Sequence, residues 1–234
     1  MLKNEKVDKI LSKTKYNFDD LCLIMEILRG EGGCPWDAEQ THESIRKNFI
    51  EETYEVIEAI DNNDSDLLRE ELGDVLLQVV FHTQMENESG NFNIDDVAND
   101  VCAKLVHRHP HIFGDVRATT ADEVLSNWEA IKNVEKSRET MYDKLNSIPP
   151  MTPALMRASK VSKKSGEYKE KSNNDIIVEL QNILDGISLH DSNISSEQMG
   201  EVLFLLSALA SKSDIDAEES LFKKTNSFIE KYKE

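Results

Sequence analysis

Two amphipathic runs lying almost end to end constrain this chain most. About Glu43–Ile60 places Ile45, Phe49, Val56, Ile57 and Ile60 at helical spacing, and about Asp66–Glu86 does the same with Leu68, Leu72, Val75, Leu76, Val79 and Val80. Only the Asn/Asp-rich turn Asp61–Asp66 separates them, with Asp66 expected as N-cap and Glu70 in the first turn. A link that short makes the two helices antiparallel neighbours. Upstream, Asn17–Leu28 is amphipathic through Phe18, Leu21, Ile24, Met25 and Leu28, and stops at Gly30, Gly32, Gly33 and Pro35. Gly33–Thr41 is expected to be a loop carrying Trp36.

Downstream, a helix over about Ile94–Arg108 ends before Pro110, because the residue preceding proline disfavours helical backbone. Another, about Ala121–Lys136, carries Val124, Leu125, Trp128 and Ile131. Pro149, Pro150 and Pro153 cluster next, and Arg157–Lys171 is a Lys/Ser-rich connector with a helical start. Further helices are expected at about Asp175–Ile187, Ser195–Ser211 and Ala217–Lys231. Nine glycines and five prolines in 234 residues fit a chain that is all-α throughout.

The formal net charge is −18, which repels a polynucleotide backbone and argues against a nucleic-acid partner. It leaves room for a small anion screened locally by cations. Cys22, Cys34 and Cys102 form no CxxC pair and are odd in number, so a reducing, cytoplasmic setting is expected. The charged start MLKNEKVDKI does not read as a signal peptide, and no apolar stretch is long enough to span a bilayer.

Slid on itself by 127 residues, the chain shows a repeat. EETYEVIEAI (Glu51–Ile60) lies over VELQNILDGI (Val178–Ile187), and REELGDVLLQ (Arg69–Gln78) over SEQMGEVLFL (Ser196–Leu205). Two copies of one helical unit explain this; chance likeness between amphipathic helices is the alternative.

In the first copy Glu52 and Glu55 share one helix face, and Glu71 and Asp74 share a face of the next. Across an antiparallel hairpin the four carboxylates can converge. Oxygen-only ligands suit a hard cation such as Mg²⁺. In a chain with 45 acidic residues a solvated acidic face is the competing reading. A di-iron site is disfavoured, since neither helix carries the Glu-x-x-His pair of such bundles. Lys104 and Arg108, at i and i+4, could contact a polyphosphate or simply complement the end of their helix. His107, His109 and His111 favour capping and packing over ligation. Trp36 could stack on a nucleobase or plug the helical core.

At these residues the sequence resembles the MazG family of nucleotide pyrophosphohydrolases, whose signature is EExxE followed on the next helix by ExxD. Here it stands as Glu51-Glu52-Thr53-Tyr54-Glu55 and Glu71-Leu72-Gly73-Asp74. GCPWDAEQTHESI (Gly33–Ile45), Lys104 with RHPHIFGDV (Arg108–Val116), NWEAIKNVEK (Asn127–Lys136) and PALMRASKV (Pro153–Val161) match as well. The resemblance implies an all-α helix-bundle fold of two tandem units, forming a homodimer. It implies hydrolysis of a nucleoside triphosphate to the monophosphate and pyrophosphate, with a metal-activated water attacking the α-phosphorus. Carried over by position, Glu52, Glu55, Glu71 and Asp74 would bind Mg²⁺ (Mn²⁺ a substitute), Lys104 and Arg108 would contact the triphosphate, and Glu51 would orient or deprotonate the water.

The second copy departs from the pattern. Glu51, Glu55 and Glu71 become Val178, Asn182 and Gln198, and only Glu179 and Glu201 keep an acid. With a loop four residues shorter, Lys104 and Arg108 map to Ser227 and Lys231. The expected organisation is a catalytic domain at 1–140, a connector at 141–174 and a degenerate second unit at 175–234. The rival to an enzyme is a non-catalytic helical dimer that binds nucleotide or a partner through a remnant acidic site.

Overall fold

The computed structural model describes residues 5–136, 139–189 and 194–233, and among them every regular element is a helix. They are α1 (Glu5–Leu11), α2 (Phe18–Arg29), α3 (Pro35–Glu39), α4 (His42–Asp61), α5 (Ser65–Glu88), α6 (Ile94–Arg108), α7 (Pro110–Phe113), α8 (Ala121–Glu135), α9 (Met141–Asn146), α10 (Ala154–Ser165), α11 (Asn173–Leu189), α12 (Ser196–Lys212) and α13 (Ala217–Ile229), which closes with a 3₁₀ turn at Glu230–Tyr232. The all-α expectation holds. The chain divides into two compact units, residues 1–117 and 118–234. In the fold α8 groups with the second unit, while the sequence boundary at 140 places it with the first.

In the first unit α4 and α5 form the expected hairpin. The turn is tighter than the sequence suggests: the N-cap is Asp64, not Asp66, because the Asp64 carboxylate accepts from both Asp66 N and Leu67 N. Met25 of α2, Ile45 of α4, and Val80, Phe81 and Met85 of α5 make the core, with Leu21, Cys22 and Leu77 packed against it. A polar lock closes the open end of the hairpin. The His42 and His82 Nδ1 atoms meet at 2.7 Å, and His42 Nε2 meets Glu86 Oε1 at 2.7 Å.

Gly33–Thr41 is not a plain loop. Proline at the first helical position starts α3, and Arg29 fixes its end. Arg29 Nη1 donates to Asp37 O at 2.5 Å and Gln40 O at 3.2 Å, while its Nε and Nη2 grip the Glu88 carboxylate at 2.9 Å. Gly33 is required where it stands, since a Cβ there would lie 2.3 Å from Ile27 O. Several expected core positions are instead exposed: Ile57 and Ile60 on α4, and Leu72 (51%) and Leu76 on α5. Nothing packs on that side of the hairpin within the described unit.

In the second unit Ile176, Leu180 and Leu205 form the core, with Tyr168, Ile183, Val202 and Leu209 around them. The stretch expected as a polar connector builds α10 as far as Ser165, and α10 packs on α12. Its small residues permit this: Ser162 is buried, as are Ser207 and Ala208 opposite, and Ser159 Oγ donates to Ser207 O at 3.2 Å.

Urea unfolding of the full chain tests both cores. Met25→Ala, which empties a fully buried site, should destabilise by about 2–5 kcal/mol. Ser162→Leu, which overfills the α10–α12 contact, should cost about 1–3 kcal/mol.

Candidate metal centre

The α4–α5 hairpin brings acids from both helices to one place. Ligand oxygens of Glu52 and Glu55 on α4 and of Glu71 on α5 all lie within 4.8 Å of one another. Among the described residues no other group of three or more His, Cys, Asp or Glu side chains converges this way. Glu52 is half-buried, Glu55 is exposed, and Glu71 is 9% exposed. Asp74 is outside this tight trio, yet its charge reaches both Glu52 and Glu71.

Crowding is visible in the protonation equilibria. Burial pushes the Glu52 carboxyl above the usual carboxylate range, helped by a hydrogen bond with Glu55 and by the charges of Asp74, Glu55 and Glu71. Burial also raises Glu71, followed by the charge and hydrogen bond of Glu55 and the charges of Asp74 and Glu70. A clustered, partly buried set of anions favours bound protons or a bound cation. The donors are all hard oxygens, so the residues fit Mg²⁺ or Mn²⁺ better than a soft metal.

One residue near this face was not anticipated. Gln78 follows Glu71 and Asp74 at helical spacing on α5, is buried, and its Oε1 has no hydrogen-bond partner. The i, i+3, i+7 relation from Glu71 was the available signal.

The remaining candidates are scattered. Glu51 is exposed beside Glu52 on α4. On α6, Lys104 is exposed and Arg108 is buried. Trp36 on α3 is 59% exposed, so its ring does not plug the core. His109 caps α6, with its Nδ1 at 2.6 Å from Leu105 O, and its ring lies 5.5 Å from that of His111.

At the corresponding places in the second unit the side chains are otherwise engaged. Glu179, aligned with Glu52, pairs with Lys171 Nζ at 2.6 Å. Gln198, aligned with Glu71, accepts from Ser195 N at 2.9 Å and so caps α12.

An all-helical chain with a carboxylate trio spanning a helical hairpin defines a protein suited to hard-cation chemistry. The family model of the MazG nucleotide pyrophosphohydrolase domain matches residues 40–113, a span that contains the whole trio. The nucleoside triphosphate pyrophosphohydrolase/pyrophosphatase MazG of Thermotoga maritima is 38% identical over 92% of this chain and 84% of its own length. The nucleoside triphosphate pyrophosphohydrolase of Escherichia coli K12 is 38% identical over 92% of this chain and 86% of its own. An uncharacterized Bacillus subtilis protein, YabN, is 47% identical over 63% of this chain but only 30% of its own length. The chain belongs to the MazG family of nucleotide pyrophosphohydrolases.

The raised carboxyls give a signed prediction for cation-free protein. Glu52 and Glu71 hold protons more tightly folded than unfolded, so their contribution to stability falls as pH rises through the raised folded values. It is fully restored only below the unfolded value of about 4.3. Glu55→Gln relieves the repulsion and should raise the melting temperature at pH 7 by about 2 °C. Thermal melts should show that gain shrinking as the pH approaches 4.

Proposed function

We propose that this chain hydrolyses nucleoside triphosphates to the nucleoside monophosphate and pyrophosphate, with Mg²⁺ (or Mn²⁺) held by Glu52, Glu55, Glu71 and Asp74. The observation that carries this reading is the convergence of three of those carboxylates within 4.8 Å across α4 and α5. The names of the Thermotoga and Escherichia relatives, matched over most of both chains, support the same reaction.

When bound, the cation would neutralise phosphate oxygens and the charge that builds on them as the bond breaks. The chain's own residues would do the rest. Glu51, exposed beside the trio, would orient the attacking water and take its proton as oxygen adds to the α-phosphorus. Lys104 and Arg108 would meet the charge of the departing pyrophosphate. Trp36 would offer an exposed aromatic face to the base. In the aligned region of the second unit, Lys171 already supplies the positive charge that Glu179 needs, which supports a structural rather than catalytic role for that half. The three unpaired cysteines are compatible with a cytoplasmic enzyme.

The protein would act as a homodimer. Ile57, Ile60, Leu72 and Leu76 on the hairpin and Leu105 and Val106 on α6 are exposed apolar side chains that a second copy would cover. Sedimentation should show a dimer, and Leu72→Glu should shift it toward monomer.

Pyrophosphate release tests the reaction. Wild type with Mg²⁺ should release pyrophosphate and the matching monophosphate. Glu55→Gln should lower the rate at least about 100-fold, whereas Gln198→Ala should leave it within about twofold. No release from any canonical or damaged triphosphate would favour the non-catalytic helical dimer instead.

A further inference from the structure

The second unit holds an enclosed cationic nitrogen that no described residue engages. Arg157, on α10, makes no ion pair and no side-chain hydrogen bond with any described residue, and its Nε is enclosed without an acceptor. Arg157 Nε is the enclosed cationic nitrogen in this unit that lacks an acceptor among the described residues. The chain carries 45 acidic residues against 27 Lys and Arg, and Lys164 and Lys171 are paired with Glu129 and Glu179. Enclosed donors in folded proteins almost always have a partner, and the described residues supply none to Arg157 Nε.

The guanidinium borders a cleft of about 280 Å³, lined also by Pro150, Thr152, Ala158, Val161 and Phe204. Arg157 and Thr152 are the lining residues with polar side chains, and no carboxylate residue lines it. The nearby acid Glu218 accepts from Met156 N at 3.4 Å and contributes nothing to the lining. The first turn of α10 also borders the space through Ala154, which adds the positive end of a 12-residue helix.

We infer that this cleft binds a small phosphomonoester carried on an apolar or aromatic body. A guanidinium fork fits phosphate oxygens in a bidentate way, and a dianion gains more than a carboxylate from the fork and the helix end together. A bare phosphate would leave most of the space empty. The body would lie against Phe204 and Val161 while Thr152 adds a second donor. The lining comes wholly from the second unit and includes no metal-ligating side chain, so binding needs no divalent cation.

The test is ¹H–¹⁵N NMR on the full, cation-free chain, following the Arg157 Nε–H signal, assigned by its loss in Arg157→Lys. Adenosine monophosphate should move that signal saturably, with a Kd of about 1 mM or tighter. Inorganic phosphate should bind roughly tenfold more weakly, and acetate more weakly still. Thr152→Val, which keeps the guanidinium, should weaken adenosine monophosphate about threefold to tenfold. The proposal is overturned if adenosine monophosphate leaves the Nε–H signal unmoved. It is also overturned if acetate moves the signal equally well, or if Arg157→Gln leaves the shifts at Thr152 and Phe204 undiminished. Because no metal is present, a failed pyrophosphatase assay would leave this outcome unaffected.

Discussion

Three carboxylates from two helices sit within 4.8 Å of one another, and they repel. The first unit is arranged so that this repulsion does not pry the hairpin open. The core at Met25, Ile45, Val80, Phe81 and Met85 clamps α4 to α5 toward the far end, and the His42–His82–Glu86 lock closes that end. Arg29 then ties α3 to the last turn of α5 through Glu88. The apolar clamp and the acidic cluster therefore occupy different stretches of the same two helices. That separation keeps the acids at partial exposure, where a cation can reach them, while Glu71 is buried enough to hold a raised affinity for a proton.

The second unit shows what the same helical pattern does without that tension. Where the first has Glu52 facing other acids, Glu179 faces the ammonium of Lys171, which also lies 4.9 Å over the Tyr168 ring. Where the first has buried Glu71, Gln198 turns back to cap its own helix. An internal ion pair and a cap satisfy locally what the first unit leaves unsatisfied. Among the described residues of this half, Arg157 Nε and Asn133 Oδ1 are the enclosed polar atoms left without a partner.

Much of this was legible in the sequence because it depends on short-range chemistry. The end of α6 at Arg108 followed from Pro110, and the acidic pairs followed from i, i+3 spacing. What was not legible depends on distant partners. α3 was expected as loop because Glu88, which anchors Arg29, lies 59 residues away. The Lys/Ser-rich stretch was expected to start as a helix, but the packing of α10 on α12 was not legible, because buried Ser162 meets the small residues Ser207 and Ala208. Leu72 and Leu76 carry core-like spacing but are exposed, since periodicity identifies an apolar face without saying what covers it. Asp64 displaced Asp66 as N-cap within an Asn/Asp-rich turn, where several residues had the right chemistry. For the site itself, the sequence indicated which acids share a helix face. It could not indicate that Glu52, Glu55 and Glu71 are drawn closer together than Asp74, or that Gln78, two turns along α5 from Glu71, is buried with an unmet oxygen.

The central claim is that the carboxylates of the first unit hold a hard divalent cation. Anomalous diffraction from crystals soaked in Mn²⁺ tests it most directly. The account predicts a strong Mn²⁺ peak coordinated by Glu52, Glu55 and Glu71, absent in a Glu71→Gln variant, and none beside Glu179 and Gln198. Mn²⁺ bound elsewhere on the chain, with the trio bare, would contradict it.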